Sequence, residues 1–230
     1  MENGDSSYNL ILKSLSEKAT AKIEVVKKAT DAFNTMKTVL KQLELQLQSA
    51  LANLDNRIII KYSERGPFDL EFKISDDVII ISLHTDAFTF PESHPIWKNS
   101  YMKGQNQKAY FGMISIYNFL TDSLKYNRTN DIGILIARIF VNFENHFFVE
   151  GKKQLGFLYN DLENDLFTEK RIRDLLESAI IHSLNSDIYT PPFDQVKVIS
   201  VQELMDKNLS TILSTGKRLG FKLQSDTDIQ

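Results

Sequence analysis

Glu150 and Lys152 stand one residue apart in Phe147-Phe148-Val149-Glu150-Gly151-Lys152, and Asp131 opens the apolar run that precedes them. Two carboxylates that meet could hold a divalent cation such as Mg²⁺, and a lysine beside them could position or activate the attacking water. Glu71 and Lys73 repeat the spacing, but on a strictly alternating segment where a surface charge ladder accounts for them. Four histidines, His84, His94, His146 and His182, are scattered along the chain. His84-Thr85-Asp86 and Glu92-Ser93-His94 bracket one loop, so a folded-back loop could gather His, Asp and Glu around a metal. Lys152, Lys153, Lys170, Arg171 and Arg173 could collect an anion at a helix start; dispersed, solvated charges are the plainer reading. The chain has no cysteine, which excludes disulfides, thiolate metal sites and Cys nucleophiles. It contains no Gly-rich phosphate loop, serine nucleophile elbow or His-Glu-x-x-His pattern.

The set Asp131, Glu150, Lys152, with Gln154 following, looks like the arrangement of PD-(D/E)XK nucleases, and that resemblance implies a Mg²⁺-dependent hydrolase with those three as the catalytic residues. The local geometry points elsewhere. If the chain reverses at residues 143–145, Glu150 falls opposite Arg138, and Asp131 lies some six residues further off, roughly 20 Å at 3.3 Å per residue. Cross-strand pairing of Glu150 with Arg138 is the simpler account. The net charge of −3 gives no general attraction to nucleic acid. The reading therefore sets cofactors and metals at none, with Mg²⁺ only in the hydrolase alternative.

The elements that would position such groups begin with a helix. No glycine or proline occurs between Gly4 and Gly66. Apolar or small residues recur at Tyr8, Leu12, Leu15, Ala19, Ile23, Val26, Ala29, Phe33, Met36, Leu40, Leu43, Leu47, Leu51 and Leu54, about 3.5 residues apart, which is the coiled-coil period. A helix of ~45 residues would run roughly 68 Å, beyond the reach of the remaining chain. The expectation is a homodimer through residues 8–54; the alternatives are a helix that breaks and folds back as a hairpin and a long helix lying across its own sheet.

Residues 57–62 read as a strand, 68–75 as a strand with Phe68, Leu70, Phe72 and Ile74 on one face, and 78–84 as a more interior strand, together an antiparallel meander. Residues 85–107 have no period, and a loop of that length in a compact domain is usually functional. Its aromatics Phe88, Phe90, Trp97 and Tyr101 are the candidate ligand-binding residues, although they could equally cover the sheet. Residues 110–124 read as a helix, 132–142 and 146–153 as a hairpin, and 155–159 as a further strand. Thr168 caps a helix over 169–184 with a stripe of Ile172, Leu175, Leu176, Ala179, Ile180 and Ser183. Pro191-Pro192 precede a strand over 196–200, and Ser200 with Glu203 forms a capping box for a helix to Ser214, stopped by Gly216.

The whole is an α+β chain: a long N-terminal helix (1–55), then a mainly antiparallel sheet of about six strands covered by helices (56–223), then a frayed tail (224–230). Over residues 57–201 this order resembles the layout of GAF, PAS and profilin-like sensor domains, which often follow a dimerising helix. The expectation is an intracellular, non-enzymatic regulatory or interaction protein that binds a partner or small ligand through the α+β domain and self-associates through the N-terminal helix; the alternative is the metal-dependent hydrolase. The N-terminus has no signal-peptide pattern and no apolar run is long enough to span a bilayer, so the expected location is cytoplasmic, away from membranes.

Overall fold

The computed structural model describes residues 3–205, apart from 53, 56, 104–105, 130, 152–153 and 187–192. The N-terminal helix is continuous in path: α1 (Asn3–Ser14), one π-helical turn (Leu15–Ala19) and α2 (Thr20–Leu51). Its 49 residues span about 73 Å at 1.5 Å per residue. Hydroxyl groups attend the π turn: Thr20 Oγ1 donates to the Leu15 carbonyl five residues back (3.5 Å), and Ser16 Oγ donates to the Lys13 carbonyl (3.1 Å). Such side-chain-to-carbonyl bonds compete with the i to i−4 ladder.

Six strands follow in strict meander order, each antiparallel to the next: β1 (Ile60–Glu64), β2 (Asp69–Ile74), β3 (Asp77–Leu83), β4 (Gly112–Leu120), β5 (Ile134–Val141) and β6 (Phe147–Gly151). One face carries Leu70, Phe72 and Ile74, then Ile79, Ile81 and Leu83, then Ile114, Ile116, Ile139, Val141, Phe147 and Val149, all in the main core. Two helices cover it. From α2 come Ala29, Phe33, Met36, Leu40 and Leu43; from α5 (Glu169–Leu184) come Ile172, Leu175, Leu176, Ala179 and Ile180. The helices are tied by Arg173, whose guanidinium donates to Gln42 Oε1 (2.6 Å) and Gln46 Oε1 (3.2 Å). Gly112 makes the α2 contact close: a Cβ there would stand 2.4 Å from Ala29 Cβ.

Part of the opposite face is covered by a long loop. There residues 85–110, with three short 3₁₀ turns at Pro95–Lys98, Ser100–Met102 and Asn106–Ala109, enclose a second core of Ile96, Met102, Ala109, Phe111, Phe140, Phe148 and Leu162.

Three expected elements differ. Residues 110–124 form β4 and the short α3 (Thr121–Lys125), not one helix. Tyr110, Ile114 and Tyr117 recur at helical spacing, but β4 is a central strand: Ile114 and Ile116 face the helices while Ser115 is buried on the other side. Burial on both faces erases the two-residue alternation that marks a strand. Residues 154–158 form the helix α4 (Gln154–Leu158) rather than a strand. Its Gly156 lies against the β6 backbone, where a Cβ would sit 2.7 Å from the Gly151 carbonyl. The outer edge of β6 is met by single bonds instead, Val149 N–H to Tyr159 O (2.8 Å) and Phe147 N–H to Asp165 O (3.2 Å). Residues 196–200 are no strand: α6 (Phe193–Val196) ends there and Val198 is 81% exposed. The capping box does form, Glu203 N–H donating to Ser200 Oγ (3.1 Å) and Ser200 N–H to Glu203 Oε2 (2.9 Å). Pro191-Pro192, the rest of that helix and the tail lie outside the described residues.

Candidate functional site

A cleft of about 680 Å³ opens between the 85–110 loop, β6 and the segment after α4. The loop supplies His94, Pro95, Ile96 and Asn99; β6 supplies Phe148, Val149 and Glu150; Gly156, Asn160 and Leu162 close the far wall. The sequence builds its rim locally. Pro91 O accepts from His94 N–H (2.9 Å) and from the Trp97 indole N–H (2.8 Å). His94 then caps the first 3₁₀ turn, its Nδ1 accepting from Ile96 N–H at 3.2 Å. That bond occupies the Nδ1 lone pair, so the neutral ring carries its proton on Nε2. Phe90 stacks on the imidazole at 4.3 Å between centroids, and is itself wedged among Phe111, Phe140 and Phe148. Asn99 caps the next turn, accepting from Tyr101 N–H (2.9 Å).

His94 Nε2 stands 3.6 Å from Glu150 Oε1. The other Glu150 oxygen accepts from the Arg138 guanidinium on the neighbouring strand. The register places these two residues directly opposite, as the hairpin geometry requires. The cleft thus offers an imidazole N–H donor, a carboxylate acceptor and the exposed Asn160 amide above an apolar floor of Ile96, Phe148, Val149 and Leu162. Those are groups for holding a small polar ligand by hydrogen bonds; among the described residues, the lining holds no hydroxyl or amine nucleophile.

The residues singled out by sequence fall into separate places. Asp131 accepts from Ser123 Oγ (2.5 Å) in the turn before β5, seven residues before Arg138. Lys152 and Lys153 lie outside the described residues. No group of three or more His, Asp or Glu among the described residues could hold a metal ion. His84 makes an edge contact with Phe88. The cation cluster is dispersed, Arg171 on Asp165 (2.6 Å) and Arg173 on the glutamines of α2. None of Phe88, Phe90, Trp97 and Tyr101 lines the cleft. Phe88 makes a backbone bridge with Phe111, while Phe90, Trp97 and Tyr101 pack on the second core. The loop contributes its histidine, proline, isoleucine and asparagine instead.

A second polar cluster locks that loop to the tip of the β5–β6 hairpin. The Tyr101 hydroxyl donates to Glu144 and accepts from Asn142 Nδ2 (2.8 Å); Lys108 Nζ lies 3.3 Å from Glu144 and over the Tyr101 ring at 4.0 Å. Burial, then the bond to Glu144, pushes the Tyr101 hydroxyl well above the usual tyrosine range. Burial alone would raise Glu144 too; the bonds from Tyr101 and Lys108, with the charges of Lys108 and His146, outweigh it and hold the carboxyl below the usual range.

The N-terminal helix carries a further feature. Its sheet-facing side is Ala21, Val25, Ala29, Phe33, Met36, Leu40 and Leu43, all buried. Six steps carry it from Ala21 to Leu43, about 3.7 residues each, the ordinary helical period rather than 3.5. Ile23 is two residues from both Ala21 and Val25, about 200° around the helix, and is 66% exposed. Tyr8, Leu12 and Leu15 continue its side at i, i+3 and i+4 spacing through Ala19, and all three are exposed, as is Ile11 beside them. The single seam expected from the sequence is therefore two: an inner stripe covered by the sheet and an outer one that nothing among the described residues covers.

No protein-family model, curated protein or solved structure matches the chain.

Proposed function

We propose that this chain is a non-enzymatic regulatory or interaction protein of the cytoplasm, holding a small ligand or partner segment in the His94–Glu150 cleft and self-associating through its N-terminal helix. The observation that carries the reading is the outer stripe. Exposed apolar residues scattered singly are ordinary, but Tyr8, Ile11, Leu12, Leu15 and Ile23 share one side of one rigid element. The cleft supports the ligand half, since its donors and acceptor converge over an apolar floor and are fixed by caps and stacking rather than left on a mobile tip. No helix among the described residues is long and apolar enough to cross a membrane.

Sedimentation velocity on the full chain and on Leu15→Asp tests the self-association. The unmodified chain is expected to gain mass with concentration and the variant to remain monomeric at unchanged helix content; identical behaviour of the two would refute it. For the cleft, a thermal-shift screen of small polar heterocycles is read against Glu150→Gln. A ligand that raises the midpoint of the parent and not of the variant supports the site, and equal shifts in both place the ligand elsewhere.

A further inference from the structure

We infer that the occupant of the outer stripe is a second copy of this chain, docked in parallel and in register over residues 8–23, with the two sheets turned outward on opposite sides of the helix pair. This rests on the self-association reading above and assigns its seam and direction. The inner stripe is already spent on the sheet, and Ile23 marks the side of the helix about 200° away, so a partner on that side meets no strand of its host. A partner covering the inner residues Ala29 to Leu43 would have to displace the sheet.

The size of the patch fits a symmetric pair. Tyr8, Ile11, Leu12, Leu15 and Ile23 are 46–66% exposed. At about 100 Å² removed from water per side chain, two copies would bury roughly 1,000 Å², the lower bound for a specific interface. The expected dimer is accordingly weak, with dissociation on the order of 10–100 µM.

Direction comes from the charges beside the stripe. Lys18 immediately precedes Ala19 and Glu24 immediately follows Ile23, so they flank the stripe on opposite sides. In a parallel pair one flank faces the opposite flank of the partner about five residues further on, or six across the extra residue of the π turn. That brings Lys18 of each copy to Glu24 of the other, twice by symmetry. In an antiparallel pair each flank meets its own kind, and Lys18 would face the side that carries Ile11 and Ser14, with no opposite charge to meet.

The absence of cysteine makes the test clean, since each introduced thiol is the only one present. Tyr8→Cys and Ile23→Cys, at the two ends of the stripe, are oxidised separately and as a mixture of the two variants, with Ile132→Cys, 92% exposed in the loop before β5, as the control. The parallel seam is expected to give disulfide-linked dimers from each stripe variant alone and none from the control. Cross-links formed only in the mixture would overturn the parallel seam while leaving self-association standing. Absence of any cross-link, with sedimentation still showing a dimer, would move the interface off this stripe; absence of both would sink the self-association reading as well. Lys18→Glu is expected to weaken the dimer roughly twofold to fivefold, and Lys18→Glu with Glu24→Lys to restore it; a double variant as weak as the single one would overturn the charge pairing that sets the direction.

Discussion

The two halves of the N-terminal helix make the same kind of apolar stripe and put it to different uses. Along residues 21–43 the stripe is short-chained at Ala29, where Gly112 of β4 comes close, and bulky at Phe33, Met36 and Leu40. It is buried within its own subunit. Along residues 8–23 the stripe is just as apolar and remains exposed. What separates them is the geometry around them, not composition. Burial within the subunit begins at Ala21, and the π turn at Leu15–Ala19 lies just before it. Hydrophobicity alone therefore does not tell a core face from a docking face; the neighbour does.

That contrast breaks most visibly in stability. Phe33→Ala, at 1% exposure, is expected to cost about 3–5 kcal/mol in urea unfolding, whereas Leu15→Ala should change the stability of the dilute monomer by no more than about 0.5 kcal/mol. Comparable losses from the two would mean that the outer stripe has a partner within the chain. Gly112→Ala probes the closeness of the inner contact. Its Cβ would meet Ala29 Cβ at 2.4 Å, so helix and sheet must part, at about 1–3 kcal/mol. An unchanged midpoint would show α2 to be more loosely seated than the structure has it.

How far the sequence carried this picture depended on how local each signal was. The alternation of β2, the α5 stripe with its Thr168 cap, the Ser200–Glu203 box and the opposition of Arg138 to Glu150 are all written within short stretches of chain. β4 was hidden because a central strand is buried on both faces, and Ile114 and Tyr117 then mimic helical spacing. The phase of the long helix was hidden for a related reason. Positions 19, 23 and 26 and positions 21, 25 and 29 both continue a periodic pattern, and only the location of the sheet selects the second. The cleft had no local signal, since His94 and Glu150 are 56 residues apart and meet only because the loop folds over β6. Of the aromatics of that loop, Phe90, Trp97 and Tyr101 pack on the second core, and none of the four lines this cleft.

A smaller effect sharpens the comparison at the loop. Glu144 has its folded pKa below the unfolded value, so its contribution to stability is present above the ordinary carboxylate range and disappears as pH falls through the folded pKa. Tyr101 is shifted the other way; its contribution is complete below a pH of about 10 and is lost as the pH rises beyond it. Glu144→Gln should therefore destabilise the chain at neutral pH, by at most about 1 kcal/mol for so exposed a carboxylate, with the difference from the parent vanishing as the pH falls below the ordinary carboxylate range. A difference that persists in acid would detach the loop lock from the charge of Glu144. The inner helix stripe, which carries no titrating residue, should not respond.

The central claim is that the outer stripe of residues 8–23 is a docking face while the inner stripe is core. Sedimentation equilibrium of the unmodified full chain, from low micromolar to several hundred micromolar, tests it most directly. The expected result is a weight-average mass rising from one chain towards two, abolished by Leu12→Asp with no loss of helix or thermal stability. A single-chain mass across the whole range, or a dimer indifferent to Leu12→Asp, would contradict it.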